Sequence, residues 1–182
     1  MKLEEFIVVY DNALDPTVCD EIIKAYDGLS STIVRDDSVM KFKEADMFHN
    51  EEFLPFKDTF VQQMQKCAAA YKTQVKAYLW PENPAYEVPR VKRYEPGEGY
   101  FDWHLDVDNV ESAKRLLVMF WYLNDVDEGG QTQFVIGEEK IQVEPKKGRV
   151  VCFPPYFMFP HKGTIPVSGP KYVISSYVQQ PE

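Results

Sequence analysis

From residue 85 onward the chain is a succession of short runs: "EVPRVKRY", "FDWHLDV", "KRLLVMFWYLND", "GQTQFVI", "EKIQVEP", "GRVVCFPP" and "KYVISSYVQ". β-Branched and aromatic residues fill the runs, and Gly, Pro, Asn and Asp fill the gaps between them. Breaks this frequent leave no room for helices, so this half must be antiparallel sheet. So many strands bury their apolar faces only by stacking two layers. The expected fold is α+β and mainly β: a double-stranded β-helix, or jelly roll, of seven or eight strands closed around a central cavity. Helices from the front of the chain would pack on one of its sheets.

The front of the chain supplies those helices. "FIVVYDN" (6–12) reads as a strand. "LDPTVCDEIIKAYDG" (14–28) reads as a helix with Asp15 as N-cap, Pro16 at its first position and Gly28 as its stop. Residues 33–50 show no sustained period and read as a strand end followed by an exposed loop, either a plain surface loop or a lid. Asn50 then caps a long helix through about Tyr78. Phe53, Phe56, Phe60, Met64, Cys67, Tyr71, Val75 and Tyr78 form its apolar stripe, read as core packing. One domain over residues 1–182 is expected, with 1–84 as a strand and helical support region and 85–180 as the jelly-roll core.

Composition removes some function classes. A formal net charge of −9 repels a polyphosphate backbone, and the small basic cluster of Lys146, Lys147 and Arg149 does not offset it. No nucleic-acid partner is expected, and a neutral or cationic substrate fits the acidity more easily. The longest apolar run, Leu116 to Leu123, is too short to span a bilayer, so no membrane contact is expected. The start lacks a signal-peptide pattern, and Cys19, Cys67 and Cys152 form no CxxC. Buried thiols in a reducing, cytoplasmic location are expected.

One run carries far more charge than a strand needs. In "GYFDWHLDVDN" (99–109), Asp102, His104, Asp106 and Asp108 occupy alternate positions. On an extended strand they share one face, which must be solvated or hold a cation. His49 reads as a surface residue, which leaves His161 to join His104. Two imidazoles and one carboxylate form the facial triad of non-haem Fe(II) oxygenases, a ligand set that leaves coordination positions open for reactants. Asp106 or Asp102 could supply the carboxylate. Lys171 shares a strand face with Val173, Ser175 and Tyr177. If that face lines the cavity, its ammonium needs an anion; otherwise it sits in water at the strand entrance.

The segments "RYEPGEGYFDWHLD", "RLLVMFWYLNDVDEGGQTQF" and "HKGTIPVSGPK", in this order, resemble the prolyl 4-hydroxylase-like branch of the 2-oxoglutarate/Fe(II)-dependent dioxygenases. The resemblance covers residues 88–180. It implies that His104, Asp106 and His161 hold Fe(II), that Lys171 pairs with the distal carboxylate of 2-oxoglutarate, and that Tyr94 reaches the same molecule. It places Thr132 in the co-substrate pocket and Arg115, Tyr100 and Tyr177 near the substrate. O2 is the oxidant, ascorbate an auxiliary reductant, and a prolyl residue of a peptide or protein the expected substrate. For the three tyrosines the alternative is core packing. Asp102 and Asp108 then read as rim residues.

Three departures bear on that transfer. Ten positions separate Tyr94 from His104 where nine are usual, so a bulge is expected near Tyr100. Gln131 replaces the usual glutamate, and Tyr177 stands where tryptophan is common among peptidyl-prolyl hydroxylases. The competing functions are a non-catalytic jelly-roll binding module, a dioxygenase of free amino acids or other small molecules, and a metal-dependent hydrolase with Asp102 as base.

Overall fold

The computed structural model describes residues 2–181. Its strands are β1 (Val8–Tyr10), β2 (Ile33–Asp36), β3 (Met40–Asp46), β4 (Ala85–Tyr86), β5 (Arg90–Tyr94), β6 (Tyr100–His104), β7 (Arg115–Tyr122), β8 (Thr132–Ile136), β9 (Glu139–Val143), β10 (Val150–Phe153), β11 (His161–Gly163) and β12 (Lys171–Gln179). The α-helices are α1 (Pro16–Asp27) and α2 (Lys57–Gln74). All strands join one 12-stranded sheet in the order β1-β10-β7-β12-β5-β3-β6-β11-β8-β9, with β2 on β3 and β4 on β12. Every pairing is antiparallel.

β12 shows why the sheet must curl. It lies between β7 and β5, and all of its residues are buried. Its alternate residues therefore serve two cores. Tyr172, Ile174 and Val178 join Leu117, Met119 and Trp121 of β7 beneath the helices. Val173 and Tyr177 join Val118, Tyr122, Phe134 and Phe153 in a second core. Phe134 on β8 and Phe153 on β10 are distant in sheet order, yet their rings meet edge to face at 4.8 Å. The sheet thus folds over on itself, as the jelly-roll pattern requires.

The helices cover one side of it. In α1, Asp15 Oδ1 accepts the Thr17 N–H at 2.8 Å, Pro16 opens the first turn and Gly28 ends the helix, as the sequence suggests. Cys19, Ile22 and Tyr26 are its buried face. α2 buries Phe60, Met64, Cys67, Ala68 and Tyr71. Its boundaries are shorter than the stripe suggests. Glu51–Phe56 is a 3-10 turn containing Pro55, which lacks the N–H an α-helix uses. Asn50 makes no side-chain cap bond there. The far end stops near Val75, Lys76 has φ +52, and Tyr78 is 92% exposed rather than part of the core.

Residues 33–50 are not a loop. β2 and β3 form a hairpin, and β3 goes on to pair with β5 and β6. All of β2 is exposed and β3 carries Lys41, Lys43 and Glu44, so burial leaves no period-two signal. The three cysteines are free and buried. Among the described residues, no helix is long and apolar enough to cross a membrane.

The Phe60 ring lies 4.8 Å from Trp121 at the helix–sheet junction. Phe60→Ala should cost about 3–5 kcal/mol in urea denaturation, while Tyr78→Ala should stay within about 0.5 kcal/mol.

Candidate metal centre

β6 delivers the first residue of the site through a bulge. His161 pairs with His104, but Gly163 pairs with Phe101, so three steps on β6 oppose two on β11. Phe101 and His104 therefore face the same cavity despite their odd spacing, and their rings stack at 3.4 Å with 5° between planes. Strand structure ends at His104, and Asp106 is presented by the bend beyond it. Asp102, His104, Asp106 and Asp108 consequently do not share a strand face. Asp102 and Asp108 are exposed.

One ligand atom from each of His104, Asp106 and His161 lies within 4.8 Å of the others. The second nitrogen of each ring is already committed. His104 Nδ1 is 2.7 Å from the Asp102 main-chain oxygen, and His161 Nδ1 is 3.1 Å from that of Phe159. A carbonyl only accepts, so both Nδ1 atoms carry the proton and both Nε2 lone pairs remain available. Burial, reinforced by His161, pushes the His104 pKa down to about 4, which keeps the ring neutral. Asp106 is fully ionised. Burial would raise its carboxyl, but His161, His104 and the Tyr177 hydroxyl outweigh that and hold it below the usual range.

The Asp106 carboxylate is held from two sides. Its Oδ1 accepts the Tyr177 hydroxyl at 2.7 Å. Arg115 donates to the Asp106 main-chain oxygen at 2.7 Å, grips Glu87 at 2.6 and 2.9 Å, and stacks 3.7 Å from the centre of the Tyr177 ring. Oδ2 is buried, receives no hydrogen bond and lies 3.1 Å from His161 Nε2. An orphaned anionic oxygen facing two imidazole lone pairs is unstable as a protein-only arrangement. A divalent cation satisfies all three at once, so the donor set fits a metal with an open side.

The pocket beyond is apolar and ends in a cation. Phe101, Val118, Phe120 and Phe153 form much of its wall. Lys171 is 1% exposed, with its Nζ 5.2–5.5 Å from the ring centres of Tyr94, Phe120 and Tyr122. Burial, with a smaller contribution from Lys92, pushes its pKa down to about 7. Thr132 accepts the Tyr122 hydroxyl at 2.7 Å, which leaves its own O–H free to donate. The preceding turn requires glycine: at Gly129, φ is +76° and an added Cβ would stand 2.2 Å from the Ile165 oxygen.

The structure brings His104, Asp106, His161, Tyr94, Lys171, Thr132 and Tyr177 into one pocket. Arg115 borders the adjoining outer groove. Tyr100 does not line that pocket: its hydroxyl donates to the Asp37 main-chain oxygen at 2.9 Å, and the bulge turns Phe101 into the cavity. Sequence reasoning missed Lys92, Phe101, Tyr122 and Ser175. Lys92 was accessible, since it lies two positions before Tyr94 on the same strand.

A family model described as the 2OG-Fe(II) oxygenase superfamily matches residues 89–179. A "Probable prolyl 4-hydroxylase 9" of Arabidopsis thaliana is 32% identical over 116 residues, covering 49% of this chain and 39% of the relative. The chain thus spans about two-fifths of that relative's length. A Pseudomonas putida prolyl-4-hydroxylase superposes with a TM-score of 0.75 at 18% identity, covering 97% and 94% of the two chains. A viral collagen prolyl hydroxylase of Paramecium Bursaria Chlorella virus-1, solved with 2OG, gives 0.71 at 23% identity, covering 97% of each. A Trichoplax adhaerens prolyl hydroxylase, solved with a hypoxia inducible factor peptide fragment, gives 0.74 at 15% identity, covering 96% and 84%.

Lys171 generates a stability signature. Its native pKa is about 7 against an ordinary 10.5. Between these values the unfolded chain holds a proton that the native state has shed, so stability rises with pH. From pH 7 to 8.5 the metal-free, ligand-free protein should gain up to about 1.4 kcal/mol per pH unit relative to Lys171→Met, measured by urea denaturation.

Proposed function

Because the chain belongs to the 2OG-Fe(II) oxygenase superfamily, we propose that it is a 2-oxoglutarate-dependent, prolyl 4-hydroxylase-like hydroxylase acting on a prolyl residue of a peptide or protein. The observation that carries this reading is the pairing of two features in one pocket. Three metal-type donors lie at its mouth, and a buried ammonium lies deeper inside. The first suits Fe(II) with vacant positions. The second suits the far carboxylate of a dicarboxylic acid, which offsets the cost of burying Lys171.

His104, Asp106 and His161 would hold the metal, and Fe(II), when bound, supplies the activation of dioxygen. The overall change converts a C–H bond to C–OH as 2-oxoglutarate and O2 become succinate and CO2. Lys171 pairs with the distal carboxylate, Tyr94 donates its hydroxyl to it, and Thr132 lines the same end. Tyr177 and Arg115 border the groove the substrate enters while their polar atoms fix Asp106. The aromatic walls exclude water from the reacting centre.

Residues 85–180 act as the catalytic core and residues 1–84 as its support, within one domain. The bound peptide fragment in the Trichoplax adhaerens neighbour supports a peptide substrate. A reducing cytoplasm suits both the three unpaired thiols and a ferrous ion, for which ascorbate would be an auxiliary reductant.

The direct test loads purified protein anaerobically with Fe(II) and 2-oxoglutarate, admits O2, and measures succinate with a panel of proline-containing peptides. Succinate should form only with oxygen and iron, and His104→Ala or Asp106→Ala should abolish it. Lys171→Ala should weaken 2-oxoglutarate binding by about tenfold or more and change metal affinity much less. Normal 2-oxoglutarate affinity in that variant would remove Lys171 from this role.

A further inference from the structure

β5 carries Arg90, Lys92 and Tyr94 at alternate positions on one face. They form a graded wall. Tyr94 lines the inner pocket, Lys92 lines both the pocket and the outer groove, and Arg90 lines the outer groove. Lys92 therefore stands where substrate would meet the metal ligands, since His104, Asp106, Phe101 and Tyr177 also line both spaces.

Lys92 is only 6% exposed. No hydrogen bond or ion pair joins its ammonium to another described residue. Its near contacts are the ring faces of Phe42 and Phe101, at 5.0 and 5.8 Å. Glu44 lies opposite it in register, with Oε1 taken by Arg35 at 2.8 and 2.9 Å. Burial pushes the Lys92 pKa down, and the more distant charges of Glu44 and Asp106 offset this only in part. Arg90 is half-buried and also has no such partner among the described residues. Its register partner Asp46 accepts the N–H groups of Phe48 and His49.

The remaining acids of the groove are committed as well. Asp37 accepts the N–H groups of Val39 and Met40, and Asp108 accepts from Ser112 and Asn109. Asp106 faces the two imidazoles. A buried cation without a counterion is costly, and a bound divalent metal would add positive charge beside it. One dicarboxylate co-substrate accounts for Lys171 and the metal. It leaves Lys92 and Arg90 without an anion in hydrogen-bond contact.

We propose that Lys92 and Arg90 receive a carboxylate of the substrate. The substrate class is a prolyl compound that carries a carboxylate beside the target ring: the α-carboxylate of a free or C-terminal residue, or an adjacent Asp or Glu side chain. Two long cationic side chains about 7 Å apart along a strand can converge on one such group. The assignment rests on the hydroxylase reading above and narrows its substrate. It also reverses the expectation from net charge that the substrate is neutral or cationic.

The test uses the whole protein loaded anaerobically with Mn(II) and 2-oxoglutarate, titrated calorimetrically with matched ligands. The pairs are L-proline and L-prolinamide, acetyl-Gly-Pro and its amide, and acetyl-Ala-Asp-Pro-Ala-amide with its Asn counterpart. In at least one pair the acid should bind about tenfold tighter or more, and the pair that responds identifies the source of the carboxylate. Lys92→Met and Arg90→Met should bring that ratio close to one. Lys92→Met should also raise thermal stability, since it removes an unpaired buried charge; Lys92→Gln serves if the Met variant does not fold. A merely structural lysine would leave the acid-to-amide ratio unchanged. Equal binding within every pair, no binding of any pair, or an unchanged ratio in the variants overturns the inference and leaves the hydroxylase reading intact. Failure of 2-oxoglutarate itself to bind overturns both.

Discussion

The Asp106 carboxylate is the constraint around which the site is organised. It is a buried anion with one oxygen held by Tyr177 and the other left without a hydrogen bond, facing the two imidazoles. Such a group is tolerable only if a cation completes it. Every element that touches it is fixed by something else. The bend that presents it is pinned by Arg115, which is pinned by Glu87 from the segment before β5. Tyr177 reaches it because β12 lies at the centre of the curled sheet, and His161 because β11 pairs directly with β6. The long-range order of the strands is thus a device for bringing distant donors to one point while leaving one side open.

The same logic explains why the cavity is lined with aromatic rings. Lys171 and Lys92 are both buried, and each faces ring surfaces rather than carboxylates. A ring face offers weak attraction to an ammonium, enough to orient it but not to neutralise it. An acid in its place would stabilise the free protein and compete with any incoming anion. A buried ammonium facing rings instead of acids costs local stability, which is the pattern expected where function overrides folding.

Much of this was readable from the residues. The strand rhythm after residue 85 fixes two stacked layers because alternation is a property of the strand itself. The α1 helix is bounded by Asp15, Pro16 and Gly28, whose local chemistry needs no tertiary context. His104 and the aspartates around it stood out because so many polar groups are out of place in one strand, and the family resemblance, not the spacing, selected Asp106 over Asp102. What failed was whatever depended on neighbours far away in sequence. The β2–β3 hairpin is exposed or charged along much of its length and gave no burial pattern. The equal spacing of the four polar residues around His104 suggested one strand face, but a bulge and the end of β6 break that face. The bulge also turns Phe101 into the cavity. An extra residue was visible as a count, but the strand that absorbs it is set by pairing with β11.

Net charge is a weak guide to a substrate for the same reason. A total of −9 is a sum over the chain, dominated by side chains that water screens. A ligand in a groove feels instead the few charges that are buried and uncompensated. Here the groove acids each make hydrogen bonds of their own or belong to the ligand cluster, while Lys92 and Arg90 make none to another described residue. Arg90 and Lys92 thus line one side of the groove beside the metal-type donors, whatever the sign of the remaining surface.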